Sequence, residues 1–193
     1  MSLPLPEPLL IDEGVTTPFI YPRSKNYPLT ESWESGGVAL NDPSQDLTKY
    51  VWQAWTDGTT ITVKRQDLDT YHVVLMDSNI TEIDLTFDQN MRPCIAYVAN
   101  KVSKLYWYDT QQAMQVIDEY PLITSPRVSL DDKRRFNVAN SDIIFAYQKG
   151  DTLCYRVQRE RFTTEYVLAT NGKRRILWRI GMGCKNRFLF YWR

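Results

Sequence analysis

The stretch Ala54-Trp55-Thr56-Asp57-Gly58-Thr59-Thr60-Ile61-Thr62-Val63 decides the fold, because its plan returns along the chain. A small residue beside an aromatic, a polar turn and an alternating apolar run recur at Ala96-Tyr97 and Leu105-Tyr106-Trp107-Tyr108. They recur again at Ala146-Tyr147, Gly150-Asp151 and Leu153-Cys154-Tyr155-Arg156. A weaker copy reads Ala169, Asn171-Gly172, Ile176-Leu177-Trp178-Arg179. Asp-Gly and Asn-Gly between alternating runs signal tight hairpins, whose turns need positive φ. Gly58 and Gly172 are therefore expected in such turns.

Around these phrases lie two longer copies. Ile83 to Tyr108 and Val128 to Val157 each read as an apolar strand, an Asp-rich turn, a strand ending Ala-Tyr, a turn and a strand. That is a three-stranded meander, close in kind to a propeller blade. Candidate strands run from 50–56 through 59–66, 71–76, 79–87, 93–99, 103–109, 115–118, 126–130, 142–148, 152–158, 163–169 and 174–180 to 187–192. Turn residues recur between them every 8 to 12 residues. The expected fold is mainly β, with repeated antiparallel hairpins or meanders stacked as a sandwich, a barrel or a propeller-like array. One short helix is expected over about 110–116.

Residues 1–46 differ. Six prolines fall between Pro4 and Pro28, Pro43 follows, and apolar residues have no period. Proline fixes φ and donates no backbone hydrogen bond, so an extended N-terminal arm is expected beside a β-rich domain over 47–193 with three to four hairpin repeats. Phe19, Tyr21 and Trp33 suggest that the arm lies on a surface, its own or a neighbour's.

The 193 residues suit one domain with an arm, and 43% hydrophobic residues exclude disorder throughout. Net charge is zero, but it is uneven. Residues 1–46 carry seven acids against Arg23 and Lys25, a net of −5, while 171–193 carry seven bases and no acid. Two readings stay open: solvated ends of opposite sign, or an acidic arm on a basic tail between subunits. Lys173, Arg174, Arg175 and Arg179 are the candidate contacts of that tail. Arg156, Arg159 and Arg161 form the densest arginine cluster, and guanidinium forks suit carboxylates and subunit interfaces. Strand alternation would put Arg156 on one face and Arg159 and Arg161 on the other. A neutral chain with one basic segment does not point to nucleic acid.

No reading of the residues yields a catalytic centre. His72 is the one histidine, no Gly-x-Ser-x-Gly marks a nucleophile, and no spacing fits zinc. Asp88-Gln89-Asn90 reads as a polar hairpin turn rather than a calcium loop. Cys94, Cys154 and Cys184 form no Cys-x-x-Cys pair, and the first two read as small core hydrophobes. Neither a secretory leader nor a membrane span is expected, and no metal or cofactor.

Several phrases resemble a known group. They are Trp33-Glu34 with 36–43 (GGVALNDP), 83–93 (IDLTFDQNMRP) with Ala96-Tyr97, 125–134 (SPRVSLDDKR), 141–147 (SDIIFAY), 155–162 (YRVQRERF) and Ile180-Gly181-Met182. Together they resemble small β-rich virion proteins of tailed bacteriophages, especially tail accessory and fibre components of short-tailed phages. The resemblance runs from about Trp33 onward. It implies a non-enzymatic virion structural protein of the tail, a compact tail-fibre or fibre-anchoring or nozzle-associated subunit, assembled in the host cytoplasm. Its implied partners are other tail proteins (adaptor, nozzle or fibre) and copies of itself. The rival expectation is a carbohydrate-binding or carbohydrate-cleaving β-domain that uses exposed Trp and Tyr.

Overall fold

A computed structural model describes residues 9–12, 30–37, 49–65, 68–88, 90–130, 142–170, 176–182 and 188–192. They form fifteen strands in four sheets. Strand β1 (Leu9–Asp12) belongs to the last sheet. Strands β2 (Thr30–Gly37), β3 (Lys49–Thr56), β4 (Thr60–Arg65) and β5 (Tyr71–Met76) make the first as an antiparallel meander. Strands β6 (Ile80–Phe87), β7 (Pro93–Ala99), β8 (Val102–Asp109) and β9 (Met114–Tyr120) make the second. Strands β10 (Thr124–Leu130), β11 (Ile143–Lys149), β12 (Thr152–Val157) and β13 (Tyr166–Thr170) make the third. In the fourth, β14 (Leu177–Met182) pairs antiparallel with β15 (Phe188–Trp192), and β1 lies parallel along the other side of β15. The mainly β expectation holds.

The sheets stack in chain order, and their first strands pack in succession: β2 on β6, β6 on β10, β10 on β14. Period-2 alternation gives the middle sheets two apolar faces. On β7, Cys94 and Ala96 face the third sheet, whereas Ile95, Tyr97 and Ala99 face the first. On β11, Ile143, Phe145 and Tyr147 face the second sheet, and Ile144 and Ala146 face the fourth.

This alternation explains the recurring phrase. Ala54, Ala96 and Ala146 each point at the next sheet, and Tyr97 and Tyr147 each point back at the previous one. Ala54 therefore shares a core with Tyr97, and Ala96 with Tyr147. Small residues facing large ones let the layers interdigitate at native density. Phe145 alone, fully buried, contributes on the order of 2 kcal/mol by leaving water. Ring contacts stitch the same seams: Trp52 to Phe87 at 4.8 Å and Tyr120 to Phe145 at 5.1 Å.

Three expectations need correction. The weak fourth copy is not a hairpin: Ala169 lies on β13, Leu177 on β14, and these strands belong to different sheets. That linker instead repeats the step from one sheet to the next. Gly172 lies outside the described residues. The helix over 110–116 is absent. Asp109 accepts the N–H groups of Gln111 and Gln112, Ala113 takes φ 54°, and the loop returns directly into β9. Ala113 in the left-handed region and the β8–β9 ladder from Met114 decide the outcome. Finally, β12 ends at Val157 and the chain enters a 3-10 turn over Gln158–Glu160, so strand alternation does not place Arg159 and Arg161.

Within the stretch read as an arm, Leu9–Asp12 and Thr30–Gly37 are strands paired to β15 and β3. Both are proline-free, whereas the prolines fall around them, outside the described residues. A proline-free window keeps its backbone donors and can join a ladder.

Gly58 has φ 94°, as its turn requires, and a Cβ built there meets nothing within 4 Å. Backbone conformation alone therefore sets the penalty. Gly58→Val is expected to lower stability by on the order of 1 kcal/mol or more, read by urea denaturation. Beside it, Asp57 accepts hydrogen bonds from the Thr59 and Thr60 N–H groups at 2.8 and 2.7 Å. These bonds, that from Thr59 foremost, hold its carboxyl far below the usual range. The stabilisation is complete above the unfolded-chain value of about 4 and fades as pH falls towards the folded value. The Tm gap between wild type and Asp57→Ala should be widest at neutral pH and narrow below about pH 4.

Candidate functional site

Ion pairs and hydrogen bonds join the second and third sheets along one seam. The Val128 N–H donates to Asp84 Oδ2 at 2.8 Å, and Arg127 Nη1 lies 3.2 Å from Glu82 Oε2. Both tie β10 to β6. Further along the seam a cleft of about 210 Å³ opens between the two sheets. Arg92, Tyr108 and Gln111 line it from the second sheet, and Asp142, Arg159 and Arg161 from the third.

Each arginine is seated on an aspartate. Asp88 closes the β6–β7 turn, accepting the N–H groups of Asn90 and Arg92, and its Oδ2 takes Arg92 Nε at 2.6 Å. The Arg92 guanidinium also lies 3.8 Å above the Tyr108 ring centroid, a cation–π geometry. Asp142 accepts the Arg159 N–H at 2.9 Å, with Arg159 Nε 3.4 Å from its Oδ2. Asp109 receives Arg161 Nη2. Burial works to raise the Asp109 carboxyl, but the Gln111 N–H and the Arg161 guanidinium outweigh it and hold it below its ordinary value.

The turn that carries Arg159 and Arg161 is held from beneath. Arg161 and Phe162 both have positive φ, 55° and 53°, an uncommon conformation for non-glycine residues. Phe162 is buried, edge-on to Trp107 at 5.0 Å. Arg156 Nη1 donates to the carbonyls of Phe162 and Thr163, and its Nε donates to Tyr147 Oη at 2.7 Å. Tyr147 Oη donates in turn to Glu165 at 2.7 Å, and Lys149 closes the group at 3.0 Å. The Tyr147 hydrogen bond, with Lys149 and Arg156, keeps the Glu165 carboxyl below its usual value.

The expected interface residues therefore separate. Arg159 and Arg161 meet in the cleft, and Arg156 positions their turn. Arg179 lies exposed on β14, its guanidinium 6.0 Å from the Tyr191 ring centroid. Trp33 pairs with Gln53 in the β2–β3 ladder. Lys173, Arg174, Arg175, Phe19 and Tyr21 lie outside the described residues. Arg92, Asp88, Asp109 and Asp142 were not among the expected site residues. Asp88 and Arg92 carry a local signal, an acid and an arginine four apart across a turn. Asp109 and Arg161 are 52 residues apart and carry none.

His72 is exposed on the outer strand β5. Cys94 and Cys154 are buried free thiols, and burial pushes both up from the ordinary thiol range, Cys94 strongly. Among the described residues no group of three or more His, Cys, Asp or Glu side chains is placed to hold a metal, and no helix is long and apolar enough to cross a membrane. No protein-family model, curated protein or solved structure matches the chain.

Phe162→Ala is expected to cost about 3–5 kcal/mol, as for large core aromatics. It should also release Arg161 from Asp109. Chemical denaturation measures the first, and loss of Trp107 fluorescence anisotropy or shift perturbation around Asp109 the second.

Proposed function

We propose that this chain is a non-enzymatic structural subunit of a phage tail that works by protein–protein assembly. The observation that carries the reading is the stack itself: successive meanders joined by shared apolar cores and cross-sheet ion pairs. The charged residues of the seam hold sheets and turns in place, and the arginine heads at its surface are poised for another molecule. This suits a compact fibre, fibre-anchoring or nozzle-associated piece in the virion, put together in the host cytoplasm. The phrases that resemble short-tailed phage proteins coincide with structural joints: Asp88 and Arg92 in one turn, Ala96-Tyr97 and Ala146-Tyr147 in the seams, Arg156 to Phe162 at the cleft.

A propeller-like array is the finer reading of the fold. Sequential meanders with stacked first strands support it. So does the first sheet's far face, opposite Ala54, where Gln53 and Thr62 are only 5% and 6% exposed. A sheet at the open end of a sandwich would wet that face.

The glycan-binding rival needs an open aromatic platform. Trp107 is buried against Phe162, and the Tyr108 ring carries the Arg92 guanidinium. The cleft therefore favours assembly.

Tagged protein expressed during infection should co-purify with tail proteins, and Lys173→Glu/Arg174→Glu/Arg175→Glu should lower its incorporation while the isolated subunit stays folded. Its Tm should be unmoved by glycans, since a binder gains stability by mass action. Absence of the wild-type protein from purified particles would overturn the reading.

A further inference from the structure

We infer that the cleft between the second and third sheets is a carboxylate-binding site, and that Arg92, Arg159 and Arg161 receive there an acidic side chain of a partner polypeptide. The source of the carboxylate rests on the assembly reading; the chemistry of the cleft stands on its own geometry.

The first argument is which member of each pair faces out. The Asp88, Asp142 and Asp109 side chains are 3%, 5% and 1% exposed, against 27%, 41% and 39% for Arg92, Arg159 and Arg161. The carboxylates are thus buried, whereas the arginine side chains are a quarter to two-fifths exposed. A guanidinium offers five N–H donors in a planar fork. Arg92 gives Asp88 its Nε alone, and Arg161 gives Asp109 one Nη2 contact. The remaining forks line one small space. Buried acids, of which Asp88 and Asp142 also border the cleft, fix the arginines whose remaining donors face it.

The second argument is an unmet donor. Arg161 Nε is buried and has no hydrogen-bond partner among the described residues. The Asp109 pairing therefore leaves part of the Arg161 fork unused at the cleft wall. The third is conformational. Two successive non-glycine residues at positive φ, Arg161 and Phe162, are held by the Phe162–Trp107 contact and by Arg156. Strain maintained by so many contacts is typical of a binding turn.

Charge selects the ligand. Three arginines are balanced by three aspartates, so the cleft has no surplus of positive charge with which to track a nucleic-acid backbone. What it offers is planar, bidentate donation, which fits a carboxylate. The size, about 210 Å³, admits one side chain with adjoining backbone rather than a chain of phosphates.

Calorimetric titration of the full chain with the tripeptide acetyl-Glu-Asp-Glu-amide tests this. Saturable binding is expected, with none for acetyl-Gln-Asn-Gln-amide. Arg159→Gln should weaken binding roughly tenfold or more, as for loss of a charged hydrogen-bond pair. Arg159→Lys, which keeps the charge and removes the fork, should weaken it at an unchanged Tm; Lys64→Gln, on β4 of the first sheet beside exposed Asp69, should not. Absence of saturable binding, equal binding by Arg159→Gln, or tighter binding of inorganic phosphate than of the peptide would each overturn the proposal. Peptide binding by a protein missing from purified tails would leave the cleft standing and remove the assembly reading instead.

Discussion

The stack depends on one packing pattern: an alanine of one sheet shares a buried core with a tyrosine of the next. Ala54 and Tyr97 share one such core, and Ala96 and Tyr147 another. The pattern matters because the middle sheets are apolar on both faces. Six successive residues of β11, Ile143 to Gln148, are buried. Such a strand has no face to offer to water, so its sheet is stable only between two others. The dipeptide satisfies both sides at once, since neighbours in a strand point in opposite directions. Enlarging either alanine would push two layers apart, and trimming either tyrosine would open a void between them.

The same alternation made the strands legible. Runs such as Ile83-Asp84-Leu85-Thr86-Phe87 and Tyr166-Val167-Leu168 carry their period openly, and two hairpin turns carry Gly58 and Gly150 at positive φ. Where reading by local pattern failed, a distant partner decided. Ala169 and Ile176 flank a segment that looks like a hairpin, yet β13 completes one sheet and β14 opens the next. Sequence records that a chain turns, not which sheet it turns into. The 110–116 segment turns back at Ala113, φ 54°, and pairs from Met114 onward with β8, a non-local partner that its local pattern does not show.

The cleft was legible only in part. The arginine density of 156–161 pointed to it, but the role of each arginine did not. Arg156 looks equivalent to Arg159 in composition, yet it lies beneath the turn among Tyr147, Phe162 and Glu165. Arg92 joined the site because the β6–β7 turn of one sheet and the 158–161 turn of the next stand at the same end of the stack. Neither burial of Asp142 nor its partnership with Arg159 has a local signature; both follow from the seam between sheets.

The parallel pairing of β1 with β15 places Leu9 beside Leu189 and Asp12 beside Trp192. In time, this separates the sheets. The first three sheets are each contiguous in sequence and can form as the ribosome delivers them. The fourth needs β1, made before the other three sheets, and the β14–β15 hairpin, made after them. Closing so long a loop carries an entropic cost that grows slowly with length, but the contact cannot precede its second half. Until β15 emerges, the apolar face of β11 that carries Ile144 and Ala146 has no cover from β14 and β15. The nascent chain therefore carries an uncovered apolar face at the end of the stack until its last hairpin docks.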